Sequence, residues 1–114
     1  MKHFFKVENR MNNDQKNDVS ASSQELFDVL LLLETKNEVE SFMKDLCTPQ
    51  EISVLAERWR VCKLLDQHTF SYREIREKTG ASLATITRIA RFLKNEPHQG
   101  YVTILNKMKK RTKI

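Results

Sequence analysis

SYREIREKTGASLATITRIARFLK, residues 71–94, is the stretch whose reading decides the fold. Ser71 is a helix-capping residue, and Glu74 stands three positions on, the spacing of a capping box. Gly80 breaks the helical period at a turn. Ser82 offers a second cap, after which Ile86, Ile89, Ala90 and Leu93 recur at the spacing of one helix face. The other face carries Ala84, Thr85, Thr87, Arg88 and Arg91. Small hydrogen-bonding side chains interleaved with arginines can approach base edges and phosphates closely. The pattern predicts a helix-turn-helix over about residues 71–95. Two ordinary amphipathic helices joined by a glycine turn would share the same local pattern.

Composition and charge support that reading. The chain has 114 residues, one domain's worth, with 39% apolar and 31% charged residues. Two Gly and two Pro are too few for the tight turns of a sandwich or barrel, so an all-α fold is expected. Residues 1–50 hold six Lys and Arg against nine Asp and Glu, a net −3. Residues 51–114 hold fourteen against six, a net +8, leaving +5 for the whole chain. The basic half contains the helix-turn-helix, which points to a polyanionic partner. The final KMKKRTKI reads equally as a solvated, frayed tail. No segment resembles a signal peptide, and the longest apolar run, Val29 to Leu33, is far short of a membrane span. A cytoplasmic protein without membrane association is expected. Cys47 and Cys62 have no Cys or His at metal-ligand spacing, so reduced thiols and no metal are expected.

Outward from the central stretch, residues 1 to about 20 are polar after Phe4 and Phe5, lack a helical period, and read as a disordered leader; Met1 and Met11 both offer a start. The remaining 21–114 form the helical domain. Ser22 or Ser23 would cap a first helix, whose Leu26, Phe27, Leu30, Leu31 and Leu33 make it apolar over much of its circumference. Such a helix needs cover on more than one side, which a partner chain would supply. A second helix is expected from about Asn37 to Leu46, burying Val39, Phe42, Met43 and Leu46. Thr48, Pro49 and Glu51 announce a third, with Ile52, Leu55, Ala56, Trp59, Cys62 and Leu64 or Leu65 on its apolar face. After the recognition helix ends near Asn95 to Pro97, a last helix carries Tyr101, Ile104, Leu105 and Met108. The total is six helices.

The segment from Cys47 to Pro97 resembles the Trp repressor superfamily, and within it the YerC/YecD-type Trp-repressor-related proteins of bacteria. The matching pieces are TPQE at 48–51, Arg58 and Arg60, SYREI at 71–75, TGAS at 79–82, ATITR at 84–88 and the closing LK before Pro97. The resemblance implies a six-helix, intertwined homodimer that reads a pseudo-palindromic double-stranded DNA operator, with half-sites about 34 Å apart. Carried over by position, base reading falls on Leu83, Ala84 and Thr87, and phosphate contact on or near Arg73, Arg76 and Thr85. Arg88 and Arg91 join the phosphate set from the residue pattern. Leu83 suits either a thymine methyl or packing at the helix start.

The family's corepressor pocket is where the chain departs. The resemblance places two ligand-sandwiching arginines at Arg58 and Arg88, and Thr48 is counted with them. It also implies a glycine that leaves room for tryptophan and a serine that anchors its amino group. Ile89 and Phe92 stand at those two positions. The pocket is therefore expected to be vestigial, with no cofactor and no tryptophan bound. Arg58 and Arg88 would then be released to phosphates or to Glu57 and Glu96. His3, His68 and His98 are expected as solvated histidines with no catalytic partner, so no enzyme is indicated. The sequence thus points to a dimeric DNA-binding regulator that represses without tryptophan. Two rival readings share the fold: a protein-interaction module, and a repressor gated by another small molecule.

Overall fold

The computed structural model describes residues 15–94 and 96–112. Six α-helices and no strand run through the described residues: α1 Gln15–Leu30, α2 Lys36–Leu46, α3 Pro49–Gln67, α4 Tyr72–Thr79, α5 Leu83–Phe92 and α6 Gly100–Thr112. The chain forms two compact units, Met1–Asp45 and Leu46–Ile114.

In the first unit, α1 begins at Gln15, well ahead of the expected caps Ser22 and Ser23. No Gly or Pro stands between Gln15 and Ser22, so nothing stops the helix from running N-terminally through these residues. Of the expected leader, residues 1–14 lie outside the described residues and 15–20 are helical. At the other end the N–H groups of Leu31, Leu32 and Leu33 donate to the carbonyls of Asp28, Val29 and Leu30, at 3.2, 3.0 and 3.2 Å. These i to i−3 bonds tighten the last turn and end the regular helix at Leu30 rather than Leu33. Thr35 then starts α2: its hydroxyl accepts from the Glu38 N–H at 3.1 Å, while the Glu38 carboxylate accepts from the Glu34 N–H at 2.8 Å.

The expected burial along α2 is not found. Phe42 and Met43 are half-buried, but Val39 and Leu46 are exposed, and no residue of this helix is fully covered. Leu31 and Leu32 are 83% and 75% exposed, and Phe27 is exposed as well. A single chain leaves these apolar side chains in water.

The second unit holds the core. Thr48 caps α3 by accepting from the Glu51 N–H at 3.1 Å, and the Glu51 carboxylate accepts from the Thr48 N–H at 2.8 Å. Pro49 occupies the first turn, where its missing N–H is not needed. The helix ends on His68, which takes a left-handed conformation with φ 60°. Ser71 and Glu74 repeat the same reciprocal box at the start of α4, at 3.1 and 2.8 Å. Val61, Cys62, Ile75, Ala81, Ile86 and Ile89 are fully or almost fully buried, and Leu105 of α6 closes over them. Val61 was not expected there: it flanks Cys62 on α3, whereas the expected Leu55 is exposed. Burial, and secondarily the Asp66 carboxylate, push the Cys62 thiol up to about 11, so it remains a neutral core group.

The α4 box has a pH signature. Hydrogen bonds from the Ser71 backbone and hydroxyl, with Lys78 nearby, hold the Glu74 carboxyl below its ordinary value of 4.5. A depressed folded-state value means that the contribution is present above the unfolded value and is lost as pH falls through the folded one. Urea midpoints measured down the acid limb should therefore fall less steeply below pH 4.5 in Glu74→Gln than in the wild type. Identical acid limbs would remove the carboxylate from the account of helix α4.

Candidate nucleic-acid interface

The junction between α4 and α5 is built at residues 79–82. The Thr79 hydroxyl donates to the Ile75 carbonyl at 2.8 Å and accepts from the Ala81 N–H at 3.1 Å. Gly80 caps α4 with φ 79°, and its N–H donates to the Arg76 carbonyl at 2.8 Å. A Cβ at Gly80 would meet nothing nearer than Glu57 Oε1 at 3.8 Å, so the demand for glycine comes from the left-handed backbone rather than from crowding. Ala81 is buried. The Ser82 hydroxyl accepts from the Thr85 N–H at 3.1 Å and starts α5. Helix α3 packs against both α4 and α5, and those two pack against each other. With Ile75, Ile86 and Ile89 all fully buried, α5 cannot roll without opening the core.

That rigid seat presents a defined face. Leu83, Ala84, Thr87, Arg88 and Arg91 are exposed and together border one shallow, open concavity. Leu83 is 52% exposed, which places it at the surface. Thr85 differs from its neighbours: it is half-buried, and its hydroxyl accepts from the Ser82 hydroxyl at 3.1 Å, so it serves the helix start first. Arg73 and Arg76 are exposed on α4 and lie off the rim of the concavity. Arg73 is 3.8 Å from Glu77, both highly exposed, a pairing too weak to hold the guanidinium against a phosphate.

The residues assigned to a corepressor pocket are not gathered into one. Ile89 is sealed in the core, Thr48 is occupied as the α3 cap, and Arg58 is exposed on α3. Only Arg88 and Phe92 meet, with the Arg88 guanidinium 4.7 Å from the centre of the Phe92 ring. The Arg91 guanidinium lies 5.5 Å from the same ring. It is Arg91, not Arg88 or Arg58, that reaches Glu96, at 3.0 Å. Beside Phe92 opens a cleft of about 460 Å³, lined by Trp59, Arg88, Phe92, His98, Gln99, Gly100, Tyr101 and Ile104. The sequence reading missed this cleft. Its walls come from α3, α5 and α6, and only the four-residue spacing of Arg88 and Phe92 hints at it. His98 is exposed, but its ring centre lies 6.4 Å from that of Phe92, so it borders the cleft. Among the described residues no group of three His, Cys, Asp or Glu side chains could hold a metal ion.

A short helix, a turn closed by glycine, and a second helix with its polar face outward sit within a six-helix fold of the all-α class. The model of the Trp repressor protein family matches residues 21–109, and the chain belongs to that family. It is 39% identical over 85 residues to the uncharacterized protein YerC of Bacillus subtilis (strain 168), a match spanning 75% of this chain and 80% of YerC. A TrpR-like protein from Eubacterium eligens superposes with a TM-score of 0.70 at 38% identity, over 78% of this chain and 90% of that one. A candidate Trp repressor from Staphylococcus aureus superposes with a TM-score of 0.71 at 37% identity, covering 87% of this chain and 96% of its own. No helix among the described residues is long and apolar enough to cross a membrane.

Proposed function

We propose that this chain is a sequence-specific DNA-binding transcription regulator that acts as a cytoplasmic homodimer and represses by steric exclusion. The observation that carries the reading is the exposed face of α5, whose Leu83, Ala84, Thr87, Arg88 and Arg91 border one concavity on a helix locked by buried isoleucines. Leu83 and Ala84 suit a thymine methyl, and Thr87 can donate to or accept from a base edge. Arg73, Arg76, Arg88 and Arg91 supply phosphate contacts, and Thr85 adds a hydroxyl proton near the helix start. These roles are binding roles and give no residue a catalytic one. Selection of bound duplexes from a random DNA pool at stated salt tests the proposal: a palindromic consensus is expected, and no enrichment would overturn it.

Replacing Arg73 or Arg76 by Ala should weaken binding to every sequence and lower the salt slope by up to about one unit each. Thr87→Ala should instead change which sequences are preferred. Unchanged affinity and preference in Thr87→Ala would take this residue out of base readout.

The dimer follows from the apolar side chains left in water around the end of α1. Leu31 and Leu32 make so little contact within the chain that charging them should leave a monomer's own packing intact. Sedimentation at micromolar concentration should give a dimer mass for the wild type and a monomer mass for Leu31→Glu, because a charge buried in an interface is strongly disfavoured. A folded wild-type monomer would sink the intertwined architecture.

Tryptophan control is not part of the proposal. Ile89 fills the core where the family's pocket needs room, and Phe92 offers a ring where an amino group needs an acceptor. Calorimetric titration with L-tryptophan should show affinity weaker than ~1 mM, and DNA binding should not respond to it. Micromolar binding coupled to tighter DNA association would contradict this. A second reading, a regulator gated by a different small molecule, is favoured by the cleft of about 460 Å³ beside Phe92, which is within the size range of ligand pockets. Thermal-shift screening of a metabolite panel distinguishes the two readings.

A further inference from the structure

Two guanidinium groups of the α5 face share one aromatic ring. Arg88 lies 4.7 Å and Arg91 5.5 Å from the centre of Phe92, both within the range at which a cation is drawn to the face of a ring. The ring is itself held: Phe92 is half-buried and forms a wall of the cleft with Trp59, Tyr101 and Ile104. Arg91 has a second restraint in Glu96 at 3.0 Å, but Arg88 pairs with no acidic side chain among the described residues. For Arg88 the ring is the restraint.

The chemistry of that restraint matters. A carboxylate would hold an arginine by cancelling its charge, and a phosphate would then have to displace it. An aromatic quadrupole attracts the guanidinium and leaves its full positive charge and N–H donors available. A long side chain restrained in this way loses less conformational freedom when it meets an anion, which favours binding. We propose that Phe92 is a positioning residue for DNA binding, presetting Arg88 for phosphate contact through its ring. The proposal rests on the DNA-binding reading above. It gives Phe92 an active part in a position where the family resemblance implied only a blocked pocket.

The test uses the full chain and a mixed-sequence DNA duplex at stated salt, so that phosphate contact is read without base preference. Phe92→Leu keeps apolar bulk and removes the ring. It should weaken binding by about three- to tenfold, whereas Phe92→Tyr should bind within about twofold of the wild type. In an Arg88→Ala background, Phe92→Leu should change nothing further, because the group it positions is gone. An equal loss in that background would show that the ring acts through packing and would overturn the proposal. A second measurement needs no variant to fold: NMR of the free wild-type protein should show ring-current-shifted Arg88 side-chain resonances. Unshifted resonances overturn the proposal. If the wild type binds no duplex at all, the DNA reading falls and this proposal with it. If Phe92→Leu binds as the wild type does, only the proposal falls.

Discussion

The burial of three isoleucines, Ile75 on α4 and Ile86 and Ile89 on α5, is the constraint on which the rest of this structure depends. They are fully sealed against α3 and α6, so the two short helices have one mutual arrangement that keeps the core closed. Neither helix would persist alone. At eight and ten residues both are well below the length at which an isolated helix is stable in water. Packing is what makes them helices, and the same packing turns the polar side of α5 outward.

The turn between them converts that packing into a fixed angle. Thr79 serves twice, donating backward to Ile75 and accepting forward from Ala81, while Gly80 supplies the left-handed backbone. Backbone groups that would otherwise be left without partners at two helix ends are thereby satisfied within four residues. The exposed face of α5 is then a by-product of local chemistry that involves none of its own side chains. Arg88 and Arg91 add a different kind of order: both guanidinium groups lie over the Phe92 ring, and Arg91 also reaches Glu96.

What the sequence disclosed follows the range of each interaction. Caps act over three residues, so Thr48 with Glu51, Ser71 with Glu74, and Ser82 could all be located by inspection and stand where they were placed. The turn at Gly80 was visible for the same reason, and the structure shows its backbone to be left-handed. Boundaries without a cap were not. Helix α1 runs back to Gln15 because nothing halts it, and it tightens at Leu30 through backbone bonds that leave no side-chain signature. The burial of Val61, and the exposure of Val39 and Leu46, depend on which faces find cover, which no local period reports. The partner of Glu96 and the cleft beside Phe92 were likewise hidden, because each joins segments whose approach is decided only by the whole fold.

The separation between seat and face has an evolutionary consequence. Substitutions at exposed positions typically change stability by only about 0.5 kcal/mol in either direction, whereas those in a sealed core carry far larger penalties. Ala81 and the three isoleucines admit almost no change, but Leu83, Ala84 and Thr87 touch water rather than the interior. Descendants of this chain can therefore vary these three surface positions by drift while inheriting an unaltered scaffold. The exposed face can diversify faster than the architecture.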